Sequence, residues 1–213
     1  MTTKLKLYHY WRSSSSWRVR WALTLKNIPH ELVAVSLLDG ESESAAHRAR
    51  NPLGYVPVLE ISKGEYLFES LAIIQYLEDK YPNPSLLWRS TDSLTRAKIW
   101  QLAEIINAST QPLQNLTPQE MYSDDTEKRK SWAKHWNEVG LNAYEVICKE
   151  TAGEFSVGDE LTLADLCLIP QVYNSKRFDV DLSKYPTISR IYERAMREPS
   201  CIASEPSQFE PKK

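Results

Sequence analysis

A proline-containing stretch, Tyr81-Pro-Asn-Pro-Ser85, separates two parts of the sequence that differ in hydrophobic periodicity. Before it, short alternating segments and helical segments follow one another, whereas after it the apolar residues recur mostly at helical spacing. Such a change of character is typical of a boundary between domains. The sequence therefore predicts an α/β domain over residues 1–82, a linker over 83–92 and an all-helical domain over 93–213.

The first part predicts a strand, a helix and a strand, followed by a hairpin and a last helix. Its strands alternate apolar with polar residues, and its helices carry apolar residues three and four positions apart. Asn27 lies where a C-cap of the first helix is expected, and Ser70 where an N-cap of the last helix is expected. We predict strands over 4–10, 30–37, 56–61 and 66–68, and helices over 14–26, 43–50 and 70–80.

The second part predicts helices over 94–113, 127–151, 163–176 and 187–197. The third of these begins with Thr162-Leu-Ala-Asp165, which has the form of a capping box and gives Asp165 a structural role. The tail from Ser204 onwards is rich in Ser, Pro, Gln, Glu and Lys. It is predicted to fray.

Composition excludes several classes of function. A net charge of −2 provides no basic field, so a nucleic-acid partner is not expected. The three cysteines are odd in number and lack a CxxC spacing, which favours a reducing, cytoplasmic location. No apolar run is long enough to span a membrane, and the four histidines lack the spacing of metal ligands.

The serine run Ser13-Ser-Ser-Ser16 follows the first strand and opens the first helix. A helix N-terminus offers unpaired N–H groups and partial positive charge, so it can stabilise an anion such as a thiolate. Lowering a thiol pKa by two units requires about 2.7 kcal/mol. One charged hydrogen bond (about 1.5–3 kcal/mol) together with the helix terminus (about 0.3–2 kcal/mol) supplies that energy. A capping role in a polar loop is the alternative.

Two further motifs fit a ligand of the same kind. An X-Pro bond such as Val56-Pro57 can be cis, and it leaves the backbone of Val56 available to pair with a ligand. Glu69-Ser70 opens a helix and offers a carboxylate to an ammonium group and N–H groups to a carboxylate. A zwitterionic peptide requires that combination, although each motif alone also fits an ordinary edge strand or a capped core helix.

Taken together, these motifs resemble the glutathione transferases and, among them, the zeta class. The resemblance covers nearly the whole chain and implies a thioredoxin-like N-terminal domain, an all-α C-terminal domain and a homodimer. It also implies a glutathione site in a cleft between the domains. The matching stretches are 13–23 (SSSSWRVRWAL), Asn51-Pro52, Val56-Pro57, 69–73 (ESLAI), 111–116 (QPLQNL) and 157–172.

The resemblance also implies roles for individual residues. Ser13 is expected to be the main donor to the glutathione thiolate, with Ser14 and Ser15 beside it. Val56 is expected to pair with the cysteinyl part of glutathione before a cis Pro57. The remaining residues expected at the cofactor are Ser16, Trp17, Arg18, Glu69, Ser70, Gln111, Asn115, Leu116 and Thr117, and those expected to hold a substrate carboxylate are Arg12 and Arg177.

This sequence departs from the zeta class at two positions. Ser15 stands where the class usually has cysteine, so chemistry that needs a protein thiol is expected to be lost. Ser42 aligns with a glutamine that touches glutathione in the class, so one hydrogen bond to the cofactor is expected to be missing.

The implied activity is glutathione-dependent cis-trans isomerisation of a small dicarboxylate, maleylacetoacetate to fumarylacetoacetate, in tyrosine breakdown. In this reaction the thiolate adds to the cis double bond, the new single bond rotates, and elimination gives the trans product. One alternative is a transferase or peroxidase that acts on xenobiotics or α-haloacids. Another is a binding protein that kept the fold without catalysis.

Overall fold

The structure is a computed structural model that describes residues 4–87 and 92–212. The chain divides into two compact units. The first unit comprises Met1–Pro84 together with Pro199–Lys213, and the second comprises Ser85–Glu198.

The first unit contains a four-stranded sheet in the order β2-β1-β3-β4. Strands β1 and β2 are parallel, and the pairs β1–β3 and β3–β4 are antiparallel. This is the thioredoxin-like arrangement predicted from the sequence. Up to Pro84 its elements are β1 (Leu5–His9), α1 (Ser14–Leu25), β2 (His30–Ala34), α2 (Ala45–Arg48), β3 (Val58–Ser62), β4 (Glu65–Phe68) and α3 (Ser70–Lys80).

The strand register brings three chain segments to one end of the sheet. Tyr8 pairs with Val58, and Val58 pairs with Phe68. Because both pairs are antiparallel, the carboxyl ends of β1 and β4 meet the amino end of β3. The chain after His9, the chain before Val58 and the chain after Phe68 therefore leave the sheet at the same end.

Helix α1 is buried over most of its length. Its buried residues include Trp17, Trp21 and two arginines, so it packs on several sides rather than along one stripe. It begins after the N-cap Ser13 and ends in a Schellman motif, in which Asn27 adopts a positive φ of 52°. The Ile28 N–H donates to the Leu23 carbonyl at 2.9 Å. The C-cap is Lys26, so Asn27 ends the helix as expected but lies one residue beyond the C-cap rather than at it.

A buried ion pair joins the end of α1 to α3. Lys26 Nζ lies 2.8 Å from a Glu78 carboxylate oxygen, and both side chains are fully buried. The same ammonium donates to the carbonyls of Tyr81, at 2.8 Å, and Pro84, at 2.6 Å. Lys26 therefore fixes the chain that leaves the first unit.

The second unit is all-helical, as predicted. Helix α4 ends at Asn107 rather than at Leu113, because Gln111 precedes a proline and the chain turns. No helix among residues 4–87 and 92–212 is both long and apolar enough to cross a membrane. The helices of this unit are α4 (Ser93–Asn107), α5 (Leu116–Tyr122), α6 (Thr126–Thr151), α7 (Leu163–Arg177) and α8 (Pro186–Ala195).

The predicted capping box is present at the start of α7. The fully buried Asp165 carboxylate accepts from the N–H groups of Ser156, at 2.8 Å, and Thr162, at 2.9 Å. Burial raises the pKa of Asp165, while these hydrogen bonds act in the opposite direction. Asp165 therefore ties the loop before α7 to the helix, as its structural role requires.

The start of the C-terminal tail packs on α1, where Ser204 contacts Trp17 and Phe209 contacts Arg20, so the prediction that the tail frays was wrong for residues 204–209. Helix α9 (Pro199–Ser204) supplies Ser200 Oγ and Ser204 Oγ as acceptors for two buried indole N–H groups of α1, those of Trp21 and Trp17. Buried N–H groups need acceptors, and the polar composition of the tail provides them. Residues Pro199–Lys213 belong to the first unit, whereas the sequence analysis placed them in the helical domain over 93–213. Residues 88–91 of the predicted linker lie outside the described residues.

We predict that Lys26→Met lowers the free energy of unfolding by about 3–5 kcal/mol, because it leaves a buried carboxylate without its cation. Lys26→Met/Glu78→Leu should recover part of this loss, since it removes the orphaned charge. Urea denaturation measures both. Lys130→Met is the matched control, because the Lys130–Asp179 pair is exposed and should contribute little to the free energy of unfolding. A Lys26→Met loss as small as that of the control would contradict the prediction.

We predict that Asp165→Ala lowers the free energy of unfolding by about 2–4 kcal/mol, since two buried N–H groups lose a charged acceptor. Activity per folded molecule should stay at the wild-type value. The control is Asp125→Ala at the exposed N-cap of α6, which should cost about 1 kcal/mol. Thermal unfolding and an activity assay on the folded fraction measure these effects. Loss of activity without loss of stability would show that the structural role is wrong.

Candidate active site

Ser13 connects the end of the sheet to the start of α1. Its backbone is extended, and its Oγ accepts a hydrogen bond from the Ser16 N–H at 3.1 Å. The hydroxyl oxygen thus caps the helix, while the hydroxyl proton remains available to a ligand. The first-turn N–H groups of Ser14 and Ser15 have no acceptor within the helix. Ser13 therefore offers a hydroxyl donor beside the positive end of a helix.

The serine run divides into two pairs by burial. Ser13 and Ser15 are partly exposed, whereas Ser14 and Ser16 are buried. Ser16 Oγ has no hydrogen-bond partner among the described residues. Trp17, also expected at the cofactor, directs its indole N–H to Ser204 and belongs to the core. Direct side-chain contact with a ligand is open to Ser13 and Ser15. The Ser16 N–H donates to Ser13 Oγ and the Trp17 N–H donates to the Ser13 carbonyl, so both of these N–H groups are already used.

Arg18 links α1 to α3. Its guanidinium is buried, and Nη1 donates to Ser70 Oγ at 3.1 Å. Ser70 is therefore the first helical residue and an acceptor, not the N-cap that the sequence predicted. Glu69 occupies the cap position but makes no capping hydrogen bond with its side chain. This hydrogen bond joins α1 to the start of α3, which are two of the segments expected at the cofactor.

Glu69 has an unusual backbone. Its φ of 68° and ψ of 113° lie in a region that non-glycine residues rarely adopt. This conformation explains why the Glu69 side chain makes no capping hydrogen bond, since an N-cap residue typically has an extended backbone. The Glu69 side chain is exposed, and the Ile73 N–H donates to the Glu69 carbonyl at 3.0 Å. Strained residues of this kind cluster at ligand sites.

Val56 and Pro57 precede β3, and the peptide bond between them is cis. The antiparallel ladders of β3 begin at Val58, so the backbone of Val56 lies outside the sheet hydrogen bonds. The strand begins two residues later than predicted because Pro57 has no N–H to donate. By register, Val56 lies at the same sheet end as the start of α1 and of α3.

Two residues that the sequence analysis gave no role hold the chain before Val56. His47 Nε2 lies 2.9 Å from the Tyr55 carbonyl oxygen, and Asn51 Nδ2 donates to the same oxygen at 3.0 Å. Both side chains are buried. In the sequence, the Asn51-Pro52 match to the zeta class was the one sign that Asn51 has a role. That match did not show that Asn51 bonds to the Tyr55 carbonyl.

Ser42, the second departure from the class, is buried beside the same segment. Gly54 has a φ of +72°, and a Cβ there would lie 3.1 Å from the Ser42 carbonyl oxygen. Glycine is required here because any side chain would be strained and would crowd this backbone. The Ser42 backbone thus helps to shape the loop before Val56.

Arg12 lies immediately before the N-cap and is partly exposed. Its guanidinium carbon lies 5.4 Å from the centroid of the Trp11 ring, so the aromatic face helps to orient the charge. An arginine next to a helix N-terminus adds positive charge where an anionic ligand would bind.

The second unit carries the other predicted residues. Gln111 lies in the turn after α4, where its N–H donates to the Ile106 carbonyl at 2.8 Å. Arg177 is exposed at the end of α7 and donates to Asn174 Oδ1 at 3.2 Å. The exposed residues around the start of α5 are Asn115, Leu116 and Thr117.

The groups at the sheet end match the chemistry of a zwitterionic thiol peptide. Ser13 Oγ–H and the N-terminus of α1 suit a thiolate, and the backbone of Val56 suits an extended peptide. The Glu69 carboxylate suits an ammonium group, and the N-terminus of α3 at Ser70 suits a carboxylate. Glutathione carries all four of these groups, so the residues of the first unit fit it.

Comparison with known sequences identifies the family of the chain. The glutathione S-transferase N-terminal domain matches residues 7–85, and the glutathione S-transferase C-terminal domain matches residues 108–199. Probable maleylacetoacetate isomerase 2 of Drosophila melanogaster is 45% identical over 203 residues, which cover 94% of this chain and 87% of that protein.

Solved structures agree as well. Maleylacetoacetate isomerase from Anaeromyxobacter dehalogenans 2CP-1, with glutathione bound in its active site, matches with a TM-score of 0.88 at 43% identity over 97% of both chains. A second structure of it holds dicarboxyethyl glutathione and citrate in the active site, with a TM-score of 0.88, 40% identity, and coverage of 97% of this chain and 93% of that chain. Maleyl pyruvate isomerase, a bacterial zeta-class enzyme, matches with a TM-score of 0.92 at 34% identity over 98% of this chain and 100% of that chain. The chain belongs to the glutathione S-transferase family and, within it, to the zeta class that contains the maleylacetoacetate isomerases.

Proposed function

We propose that this protein is a glutathione-dependent isomerase that converts maleylacetoacetate to fumarylacetoacetate. The observation that carries the proposal is the helix cap at Ser13, whose hydroxyl proton is available at the sheet end shared with Val56 and Ser70. Relatives with this activity in their names, at 45% and 43% identity over nearly the whole chain, support it.

Residues of the first unit would hold glutathione. Ser13 and the first-turn N–H groups of α1 would stabilise the thiolate, Val56 would pair with the cysteinyl backbone, and Glu69 with Ser70 would bind the γ-glutamyl end. When bound, glutathione supplies a thiolate that adds reversibly to a conjugated cis double bond and so permits rotation about that bond. Gln111, Asn115, Leu116 and Thr117 would complete the cofactor site from the helical unit or from a partner subunit.

The substrate requires positive charge as well as a thiolate. Arg12 and Arg177 would bind its carboxylates and stabilise the enolate charge that develops when the double bond is attacked. Arginine suits this role because its planar guanidinium can bind a carboxylate through two parallel hydrogen bonds.

The ligands of the Anaeromyxobacter enzyme support a dicarboxylate substrate. Dicarboxyethyl glutathione joins the cofactor sulfur to a carbon chain that bears two carboxylates, and citrate is a polycarboxylate. The zeta-class maleyl pyruvate isomerase acts on another molecule with the same maleyl group. Maleylpyruvate is therefore the second candidate substrate, since it differs in the acyl arm alone.

We also propose a cytoplasmic homodimer. The three cysteines, Cys148, Cys167 and Cys201, are all buried, and a chain with an odd number of thiols suits a reducing compartment. Zeta-class proteins form homodimers, as the resemblance implies, and sedimentation equilibrium would measure this state.

We predict that fumarylacetoacetate forms from maleylacetoacetate in the presence of glutathione and not in its absence. Ser13→Gly should lower turnover at neutral pH by about 10–100-fold, because a donor worth about 1.5–3 kcal/mol to the thiolate is lost. Glycine is a tolerated N-cap, so the helix should lose only a few tenths of a kcal/mol. Ser13→Thr, which keeps the hydroxyl, is the control and should retain most of the activity.

Four results would count against the proposal. Turnover that persists without glutathione excludes the cofactor's role, and full activity of Ser13→Gly excludes the role of Ser13. Calorimetry that detects no millimolar binding of glutathione would favour a non-catalytic binding protein. Activity confined to α-haloacids or chlorodinitrobenzene would favour a conjugating transferase.

Ser15 leaves the site without a protein thiol. Burial, with Asp165 and Glu145 as further causes, raises the pKa of Cys148 to about 12, so its thiolate is scarce at neutral pH. Cys167 and Cys201 are fully buried. The reactive thiol in this site therefore belongs to glutathione.

We predict that N-ethylmaleimide, removed before assay, leaves the wild-type enzyme active. Ser15→Cys should retain activity before treatment and lose it afterwards, because a thiol at a helix N-terminus ionises readily. S-methylglutathione, which has no free thiol, should protect the variant by filling the site. Mass spectrometry locates the label, and inactivation of the wild type through one of its own cysteines would contradict the prediction.

A further inference from the structure

Arg20 is a buried arginine of α1 that takes no part in the site described above. Its side chain is 1% exposed, and its guanidinium contacts three carbonyl oxygens and a histidine ring. Nη2 donates to the Trp11 carbonyl at 3.0 Å, and Nη1 donates to the Tyr10 carbonyl at 3.3 Å. Nη1 also lies 3.1 Å from His9 Nδ1. Arg20 therefore forms hydrogen bonds to the end of β1 and to the loop that leads to Ser13.

The loop carbonyl held by Arg20 also fixes Ser13. The Ser13 N–H donates to the Tyr10 carbonyl at 3.1 Å, so this one oxygen is shared by Ser13 and Arg20. Ser13 is then placed from both sides, by this bond and by its own cap bond to the Ser16 N–H. A shift of the Tyr10 carbonyl would move Ser13 Oγ with it.

The C-terminal segment completes the surroundings of Arg20. Arg20 Nε donates to the Ser204 carbonyl at 3.1 Å, and the guanidinium carbon lies 4.8 Å from the Phe209 ring centroid. The Phe209 ring also meets the His9 ring edge-on, with centroids 5.7 Å apart. Burial and the charges of Arg20 and His30 lower the pKa of His9 to about 3, so its ring is neutral and accepts from Arg20 at physiological pH.

We propose that Arg20 is a positioning residue for catalysis, through which the C-terminal segment at Ser204 and Phe209 holds the loop that places Ser13 Oγ at the glutathione thiolate. The inference rests on the proposed function for the identity of the thiol. A guanidinium presents five N–H donors in a fixed plane, which a lysine ammonium cannot reproduce. The tail therefore contributes to the thiolate site without touching it.

The test is the thiol pKa of glutathione in its complex with the full-length protein, measured by ultraviolet difference absorbance of the thiolate. This readout needs no substrate, so it remains valid if the protein does not isomerise maleylacetoacetate. Arg20→Lys and Phe209→Leu should raise the thiol pKa by about one unit and the KM for glutathione about tenfold. Turnover should return towards the wild-type value at pH above the raised pKa, which simple loss of stability would not produce.

Ser200→Ala is the matched control. It removes the acceptor for the Trp21 indole and loosens the same helix on α1, and Ser200 is not one of the Arg20 partners described above. Its thiol pKa should equal that of the wild type. The proposal is overturned if Phe209→Leu leaves the thiol pKa unchanged, or if Ser200→Ala raises it equally. If Arg20→Lys does not fold, the result for Phe209→Leu alone decides whether the proposal stands. An ordinary thiol pKa of glutathione in the wild-type complex would also overturn the proposal.

Discussion

The burial of α1 is the constraint on which the first unit depends. A helix that packs on several sides buries most of its polar side chains, and a buried polar group is stabilised by a hydrogen-bond partner inside the protein. Trp17 and Trp21 find theirs on α9, and Arg18 finds Ser70 at the start of α3. These hydrogen bonds attach α9 and the start of α3 to α1.

The sheet register fixes the positions of the segments that form the site. The ladder pairs Tyr8 with Val58 and Val58 with Phe68, so the flanking segments leave the sheet at fixed offsets. A slip of one residue would turn the side chains of a strand to the opposite face and displace the segment that follows it. The positions of Val56 and Ser70 are therefore set by rigid elements rather than by the loops themselves, which suits a preorganised site.

Local features could be read from the sequence. The bounds of α1 and α3, the left-handed Asn27 and the capping box at Asp165 follow from short-range patterns, and all of them are present. The segment α9 was missed because its polar residues read as solvent-facing, whereas their partners lie about 180 positions earlier on α1.

The assignment of Ser70 as N-cap failed for a similar reason. A serine before an apolar helical run usually caps it, but here Glu69 occupies the cap position with a positive φ, and Ser70 is the first helical residue and accepts from Arg18. Neither the backbone of Glu69 nor the long-range donor is visible in a local pattern. The buried ion pair of Lys26 and Glu78 was not predicted for the same reason, because it joins residues 52 positions apart.

Ser13 shows how stability and chemistry can share one side chain. The Ser13 oxygen accepts from the Ser16 N–H to start the helix, and in the proposed function the Ser13 proton is donated to the thiolate. The cap makes no use of the Ser15 side chain. Position 15 can therefore exchange cysteine for serine without disturbing the helix, whereas a change at position 13 removes the hydroxyl that both caps the helix and faces the ligand. This difference explains how the protein thiol can be absent while the site for the cofactor thiol is kept.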